Sequence, residues 1–322
     1  MSDDARRTKL LARAIRGRRR RPAISTLARR ATFPLRRPPV PGSVDALPPT
    51  VRTGQHYDTE WARHPLSRAA RAALIGTVVR PVVTGLARPT HLGLDRLEAL
   101  DGGPVIFAAN HHSHIDTPLL VTSIPLRWRN DLVVGAAADY FFGTRLTAAT
   151  SALLIGAIPI ERSKIGRRSA DLAADLVADG WSLLIYPEGG RSKDGWGQPF
   201  RGGAAYLGLR CQVPIVPVHV SGTDRILRKG RLLPRPSPTT VNFGAPLVPL
   251  EGERSRPFGA RIERAVAVLG DEATTDWWQA RRRLHAGDTP SLTGPDASSW
   301  RRSWARGRRR AEAQRRRWPD LG

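Results

Sequence analysis

The spacing of hydrophobic residues changes along the chain at about residue 92. From Leu92 onward, short apolar runs bounded by Gly, Pro and Asp alternate with longer segments of helical periodicity. Residues 163–179 predict a helix that Ser163 caps and Gly180 ends. The apolar runs predict buried strands, and strands that alternate with helices indicate an α/β domain whose sheet is covered on both faces. The predicted strands are 105–109, 132–136, 157–160, 183–186, 215–220 and 241–243.

Before this domain, residues 61–86 also show helical spacing, and Pro81 is expected to kink or end that helix. The pattern is typical of an amphipathic helix packed on its own domain, or of one lying in a membrane interface beside basic residues. The apolar stretches 72–79 and 81–87 cover, with Arg80 between them, only 16 residues. We therefore predict no transmembrane segment, because a spanning helix needs about 20. The spaced residues are Trp61, Leu66, Ala70, Leu74, Val78 and Val82.

Positive charge is concentrated at the two ends of the chain. The formal net charge is +24, of which +11 falls in residues 1–57, +8 in residues 281–322 and only +5 between them. We predict a basic Pro/Arg-rich tail at 1–56, a folded domain at 57–275 and a Trp/Arg-rich tail at 276–322, with both tails largely irregular. Such charge points to a polyanionic partner, either an anionic membrane or a nucleic acid.

The composition of the C-terminal tail favours the membrane. Five of the nine tryptophans lie there among arginines, a composition typical of segments that dock at lipid headgroups. A solvated tail whose tryptophans pack on the domain, or one that stacks on bases, has the same composition. No nucleic-acid reading module is recognisable. No secretory signal is present, and the single cysteine, Cys211, fits a reducing compartment. We expect a cytoplasmic protein bound peripherally to the inner face of the cell membrane.

Candidate chemistry follows the first strand of the α/β domain, in the segment 110–116, which contains three histidines and an aspartate. A metal site would need further ligands, and no second His/Cys cluster is present, so no metal is expected. Alternatively, His111 in a loop could meet Asp116 in the first helical turn, where Ser113 and Asp116 resemble a capping box. The carboxylate would then fix the imidazole tautomer and leave the other nitrogen to take a proton. His112 could compete as the base, and both residues could be purely structural.

Other strand ends carry further candidates. Arg162 follows the strand 157–160 and could hold a phosphate or pair with Glu161. The strand 183–186 leads into a glycine turn that would present Glu188 and Arg191. Two prolines in 213–218, Pro214 and Pro217, suit a strand start or an edge strand rather than a central one.

Four elements, in order along residues 93–249, resemble the sequence blocks of the 1-acylglycerol-3-phosphate acyltransferase (lysophosphatidate acyltransferase) family. Each lies at a predicted strand end, and a chance match of all four in this order is improbable. The blocks are Asn110-His111-x-Ser113-x-x-Asp116, Gly156-x-Ile158-x-Ile160-x-Arg162, Pro187-Glu188-Gly189-x-Arg191-Ser192 and Val213-Pro214-Ile215-x-Pro217-Val218.

The resemblance implies a mixed, mostly parallel sheet covered by helices, of the glycerol-3-phosphate acyltransferase-like kind. It also implies transfer of an acyl group from acyl-CoA or acyl carrier protein, as co-substrate without any cofactor, to the hydroxyl of lysophosphatidate. Other lysolipid or glycolipid acceptors, and a non-catalytic lipid-binding or scaffolding domain, are the alternatives. By the resemblance, His111 is the base, Asp116 orients it, and the phosphate or acceptor is held by Arg162, Glu188, Gly189 and Arg191. Supporting positions are Asn110, Ser113, Ser192 and Pro217.

Overall fold

The computed structural model describes residues 54–161, 167–192, 194–227 and 233–315, with the side chains of residues 55, 167 and 308–315 left out. All these residues belong to one compact unit, Arg52–Gly322. The predicted tail at 1–56 lies almost entirely outside the described residues, and so do Arg162 and the Ser163 cap.

A seven-stranded sheet forms the centre of the fold, in the order β1-β7-β6-β2-β5-β3-β4. Strands β2 to β6 run parallel to one another, whereas β7 is antiparallel to β6 and β1 is parallel to β7. The prediction of a mixed, mostly parallel sheet is therefore confirmed. The strands are β1 (Pro89–Leu92), β2 (Ile106–Ala109), β3 (Leu132–Ala137), β4 (Ala157–Ile160), β5 (Ser182–Ile185), β6 (Ile215–Ser221) and β7 (Thr239–Phe243).

Helices fill the connections and cover both faces of the sheet. In β2 every residue is buried, and alternate residues enter two different core clusters. Phe107 and Ala109 face one cluster, and Ile106 and Ala108 face the other, as the two-residue period of a strand requires. The helices are α1 (Pro65–Leu74), α2 (Arg80–Ala87), α3 (Asp116–Ser123), α4 (Leu126–Arg129), α5 (Ala138–Phe141), α6 (Arg145–Ile155), α7 (Arg167–Ala178), α8 (Gly203–Cys211), α9 (Thr223–Ile226), α10 (Ser255–Thr274), α11 (Trp277–Ala286) and α12 (Ser299–Arg315).

The helix before the sheet continues past Pro81, which was expected to kink or end it. A π-helical turn, Ile75–Val79, joins α1 to α2 just before the proline. The resulting helix, Pro65–Ala87, has 23 residues and is long and apolar enough by length and composition to cross a membrane. The 16-residue stretch 72–87, on which our prediction of no transmembrane segment was based, is therefore only part of this helix.

This long helix turns different residues toward the body and toward solvent. Arg71, Ile75, Val83 and Ala87 are buried against the body. The predicted apolar stripe lies mostly on the outside, and its members Leu66, Val78 and Val82 are 79%, 53% and 53% exposed.

The C-terminal segment is more regular than expected, because it contains α11 and α12. Asp276 caps α11 by accepting a hydrogen bond from the backbone N–H of Gln279 at 2.8 Å. Arg283 reaches back from α11 to the buried Asp271 of α10 at 2.7 Å, across the expected domain boundary at residue 275. Arginine and alanine favour helix, and these contacts hold a helix where composition alone suggested an irregular tail.

Strand β6 corrects the interpretation of the two prolines. It is a central strand, flanked by β7 and β2, and the buried Pro217 lies inside it. The carbonyl oxygen of Pro217 accepts a bond from the N–H of Gly244 at 2.8 Å, just after β7 ends. Pro217 has no N–H to donate, so one hydrogen bond is missing at the end of the β6–β7 pairing. A central strand tolerates the loss of a bond at that position.

Candidate active site

The candidate site lies at the carboxyl ends of β2 and β5, which are neighbours in the sheet. β2 ends at Ala109 and leads directly into the segment 110–116, and β5 ends at Ile185 and leads into the segment 187–198, called here the third-block loop. Ligand sites of open α/β sheets lie at this end of the strands, because the connecting loops meet there.

His111 and Asp116 meet, as their spacing predicted. Nδ1 of His111 lies 2.9 Å from Oδ2 of Asp116, and the same oxygen accepts backbone N–H bonds from His112 at 2.6 Å and Ser113 at 2.8 Å. Asp116 is the first residue of α3 and is fully buried. The capping box forms only in half: the carboxylate accepts from Ser113, but the N–H of Asp116 bonds to the Ser113 carbonyl rather than to its hydroxyl.

The surroundings of Asp116 favour its ionised form. Burial acts to raise the pKa of Asp116, but the hydrogen bond with His111, the nearby histidines and the N–H of Ser113 outweigh burial, and the pKa lies below its ordinary value. An ionised carboxylate can only accept, so Nδ1 of His111 carries the proton and Nε2 is left as the proton acceptor.

The imidazole of His111 is also held from its face. The ring stacks on Tyr186 with centroids 4.1 Å apart and planes 19° apart. The hydroxyl of Tyr186 lies 2.9 Å from Oγ1 of Thr117, and burial raises the pKa of Tyr186 well above its ordinary value. A neutral, hydrogen-bonded phenol therefore supports one orientation of the imidazole.

Glu188 lies beneath the loops rather than on the wall of the site. Its side chain is buried, and its two oxygens accept the backbone N–H groups of His111 at 2.9 Å and Gln198 at 2.8 Å. Burial raises the pKa of Glu188 to about 7, although these two hydrogen bonds act to lower it. The expectation that Glu188 lines an acceptor site thus changes: it ties the His111 segment to the third-block loop.

A cavity of about 320 Å³ opens beside His111. Much of its wall is apolar and is formed by residues of β3, β4 and β5 together with α7 and α8. Two guanidinium groups, Arg191 and Arg201, lie on its wall with Gly189 and Gly190. Apolar residues of the wall include Val134, Ala136, Ile160, Ala173, Ile185 and Leu207.

Gly189 is needed for the shape of this loop. Its φ of +69° lies in the left-handed region, and a Cβ at this position would come within 3.0 Å of Nε of Arg201. Arg201 was not among the predicted site residues. Its basic side chain, two positions before α8, is the signal that could have identified it.

The remaining predicted residues occupy supporting positions. Asn110 joins β2 to β6, because its side chain donates to the carbonyl of Val220 at 2.8 Å and accepts from the N–H of Val220 at 2.7 Å. Ser192 donates its backbone N–H to the carbonyl of His111 at 2.9 Å. Arg162 lies outside the described residues.

The other histidines of the segment differ from His111. Burial lowers the pKa of His112, against the pull of Asp116 and Asp224, and His112 is not on the cavity wall. His114 lies on that wall and stacks on Tyr140 with centroids 5.4 Å apart. In the part of the chain that the structure describes, no group of three or more His, Cys, Asp or Glu is placed to hold a metal ion.

Comparison with known proteins points to one family. A family model described as Acyltransferase matches residues 88–221, which include the His111–Asp116 pair, β2 to β6 and the third-block loop. Residues 88–221 therefore match the acyltransferase family, in agreement with the resemblance seen in the sequence.

Curated relatives agree over shorter stretches. A 1-acyl-sn-glycerol-3-phosphate acyltransferase of Cocos nucifera is 40% identical over 77 residues, 24% of this chain and 25% of the relative. The chloroplastic 1-acyl-sn-glycerol-3-phosphate acyltransferase BAT2 of Brassica napus is 30% identical over 141 residues, 43% of this chain and 38% of the relative. The chain thus matches a quarter to about two fifths of the length of these relatives.

Among solved structures, the 1-acyl-sn-glycerophosphate (LPA) acyltransferase PlsC of Thermotoga maritima aligns with a TM-score of 0.46 and 21% identity. The alignment covers 65% of this chain and 82% of that one.

Proposed function

We propose that this acyltransferase-family chain transfers a fatty acyl group from a thioester to the free glycerol hydroxyl of lysophosphatidate, forming phosphatidate. The observation that carries the proposal is the His111–Asp116 pair, bonded at 2.9 Å, with His111 on the wall of a largely apolar cavity that Arg191 and Arg201 also line. A general base, an anion site and an apolar pocket are what an acyl transfer to a phosphorylated lipid requires.

In the proposed reaction, Nε2 of His111 takes the proton of the acceptor hydroxyl as its oxygen attacks the thioester carbonyl. A C–O bond forms, the tetrahedral intermediate collapses, and the C–S bond breaks. The thiolate leaves and takes the proton back from the imidazolium. Asp116 stabilises that imidazolium, because its buried carboxylate stays ionised at 2.9 Å from Nδ1. No acyl-enzyme is formed.

Basic side chains are proposed to hold the acceptor phosphate. Arg191 and Arg201 lie on the cavity wall, and a guanidinium binds phosphate oxygens in pairs. Arg162 is proposed for the same role by its place in the second block. The apolar part of the cavity wall would accept the acyl chain. Acyl-CoA and acyl carrier protein are both proposed as donors.

Release of free thiol from acyl-CoA in the presence of lysophosphatidate tests the reaction. We expect wild type to release thiol with lysophosphatidate in preference to lysophosphatidylcholine, because only the former presents a phosphate monoester to the arginines. His111→Ala should abolish release, whereas His285→Ala, an exposed histidine of α11, should behave as wild type. Full activity in His111→Ala would overturn the mechanism, and release that is independent of any acceptor would indicate a thioesterase.

We also propose that the protein is peripheral on the inner face of the cell membrane. Supporting this, the outer side of the helix Pro65–Ala87 exposes Leu66, Val78 and Val82. Large exposed apolar side chains beside basic ones are typical of segments that dock at anionic lipid headgroups. Exposed tryptophans of α11 and α12 add to this character: Trp277, Trp278, Trp300 and Trp304.

A further inference from the structure

The C-terminal segment crosses over the third-block loop. Nε of Arg302, in α12, donates to Oδ2 of Asp194 at 2.7 Å, and the indole N–H of Trp196 donates to the carbonyl of Arg302 at 3.0 Å. The N–H of Gly197 donates to the carbonyl of Leu292 at 2.9 Å. Residues 292–307, called here the strap, therefore bond to three parts of one loop: Asp194, Trp196 and Gly197.

A second arginine of the strap extends the contact. One N–H of Arg306 donates to the carbonyl of Asp194 at 3.2 Å, and another pairs with the carboxylate of Asp224 in α9. The Arg306 guanidinium lies over Gly195, where an added Cβ would overlap it in this arrangement and where the φ of +89° also favours glycine. The loop and the strap are thus shaped to each other.

Helical periodicity separates two sides of the strap. Successive residues of a helix are 100° apart, so Arg302 and Arg306 lie on the side opposite Trp300 and Trp304. Exposure follows this division: the two arginines are half-buried, whereas the two tryptophans are 64% and 60% exposed. The side of the strap that carries Arg302 and Arg306 therefore faces the third-block loop, and the side that carries Trp300 and Trp304 faces away from it.

The loop held by the strap is bonded to His111 at two points. Ser192 donates its N–H to the His111 carbonyl at 2.9 Å, and the Ser192 hydroxyl accepts from the N–H of Gly195 at 2.7 Å. Gln198 donates to Glu188, which accepts the N–H of His111 in turn. Arg302 and Arg306 therefore contact a short loop that is itself hydrogen-bonded to the backbone of His111, the proposed base.

We propose, on the basis of the proposed function, that the strap belongs to the catalytic machinery of this chain, with Arg302 and Arg306 as positioning residues for His111. Neither arginine touches the substrate. They hold the third-block loop in the conformation in which Ser192 and Glu188 fix the backbone of His111 on both sides. The Asp194 and Asp224 pairs are partly exposed and stabilise the whole fold little, so their loss should loosen the loop without unfolding the protein.

The test compares Arg302→Gln, Arg306→Gln and the double variant in the full chain with wild type. Thiol release with acyl-CoA and lysophosphatidate should show kcat lowered on the order of ten-fold in the double variant, because small displacements of a base are costly, with KM for acyl-CoA unchanged. Arg302→Lys keeps the charge and should restore part of kcat. Arg256→Gln, an exposed arginine of α10, is the charge-matched control and should behave as wild type.

A second readout does not depend on activity. Hydrogen exchange at the amides of His111, Ser192 and Gln198 should be faster in the double variant and unchanged in Arg256→Gln. Unchanged exchange at all three amides, or unchanged kcat while His111→Ala is inactive, would overturn the strap proposal and leave the proposed function intact. Absence of acyl transfer in wild type would instead refute the proposed function, and the exchange experiment would still decide the role of the strap.

Discussion

Replacing Glu188 by glutamine tests how the base is held in place. The carboxylate accepts two backbone N–H groups, from His111 and Gln198, and is only 1% exposed. A glutamine side chain has the same shape but only one oxygen acceptor, so in Glu188→Gln one of the two N–H groups faces an N–H donor. The variant should therefore keep the fold and lose the connection between the third-block loop and His111.

The pKa of Glu188 sets the size of the effect on stability. Burial raises that pKa from 4.5 to about 7, and each pH unit corresponds to about 1.4 kcal/mol, so the ionised carboxylate costs about 3 kcal/mol in the folded state. Between pH 4.5 and 7 the folded state binds this proton more tightly than the unfolded state. The free energy of unfolding of the wild type should therefore fall by about 3 kcal/mol from this group as pH rises across that window, and then level off.

Urea unfolding followed by tryptophan fluorescence at pH 5, 6, 7 and 8 measures this slope. Glu188→Gln has no group to titrate, so its free energy of unfolding relative to wild type should rise by about 3 kcal/mol across the window. Its kcat at pH 8 should be lower by about ten- to one hundred-fold, because His111 is no longer fixed. Glu98→Gln, at an exposed position, should follow wild type in both measurements. Parallel pH dependences for wild type and Glu188→Gln, together with equal rates, would refute the reasoning.

Two further predictions follow from the site and the surface. Asp116→Asn should lower kcat by at least about one hundred-fold with KM for acyl-CoA unchanged, because the negative charge that stabilises the His111 imidazolium is lost. Thiol release measures kcat, and activity within a few-fold of wild type would contradict this prediction. The whole protein should float with anionic vesicles at low salt and detach as salt rises, since its net charge is +24 and the Debye length is about 10 Å at 0.1 M. Vesicles of neutral lipid are the control, and flotation that does not change with salt would contradict electrostatic attachment.

Local pattern was sufficient for most of the sheet and for the catalytic pair. Short apolar runs predicted six of the seven strands, because strands buried on both faces need continuous apolar sequence. β1 was missed because its four residues, Pro89–Leu92, form no continuous apolar run and lie exposed or half-buried at an edge of the sheet. The meeting of His111 and Asp116 was predictable because both residues belong to one loop and one helical turn, so their distance depends on local geometry.

The errors occurred where a neighbouring element decided the outcome. Pro217 suggested an edge strand, but β7 ends beside it and leaves its missing N–H with little cost. Pro81 suggested a kink or a helix end, and the helix does not end there, because the π-helical turn before it joins α1 to α2. Composition suggested an irregular C-terminal tail. In the structure, Arg302 of α12 is hydrogen-bonded to Asp194, more than one hundred residues away along the chain, and this contact holds α12 against the body.

The amino-acid sequence by itself determined the class of fold, the order of its strands along the chain and the pair of residues proposed for catalysis, because these depend on burial patterns and on contacts within a few residues. Only the tertiary structure decided that Glu188 lies beneath the site, that Arg201 shares its wall and that the strap holds its loop. Those roles depend on backbone groups and charges that lie far apart in the sequence and come within hydrogen-bonding distance only in the folded chain. Spacing along the sequence does not predict such distances.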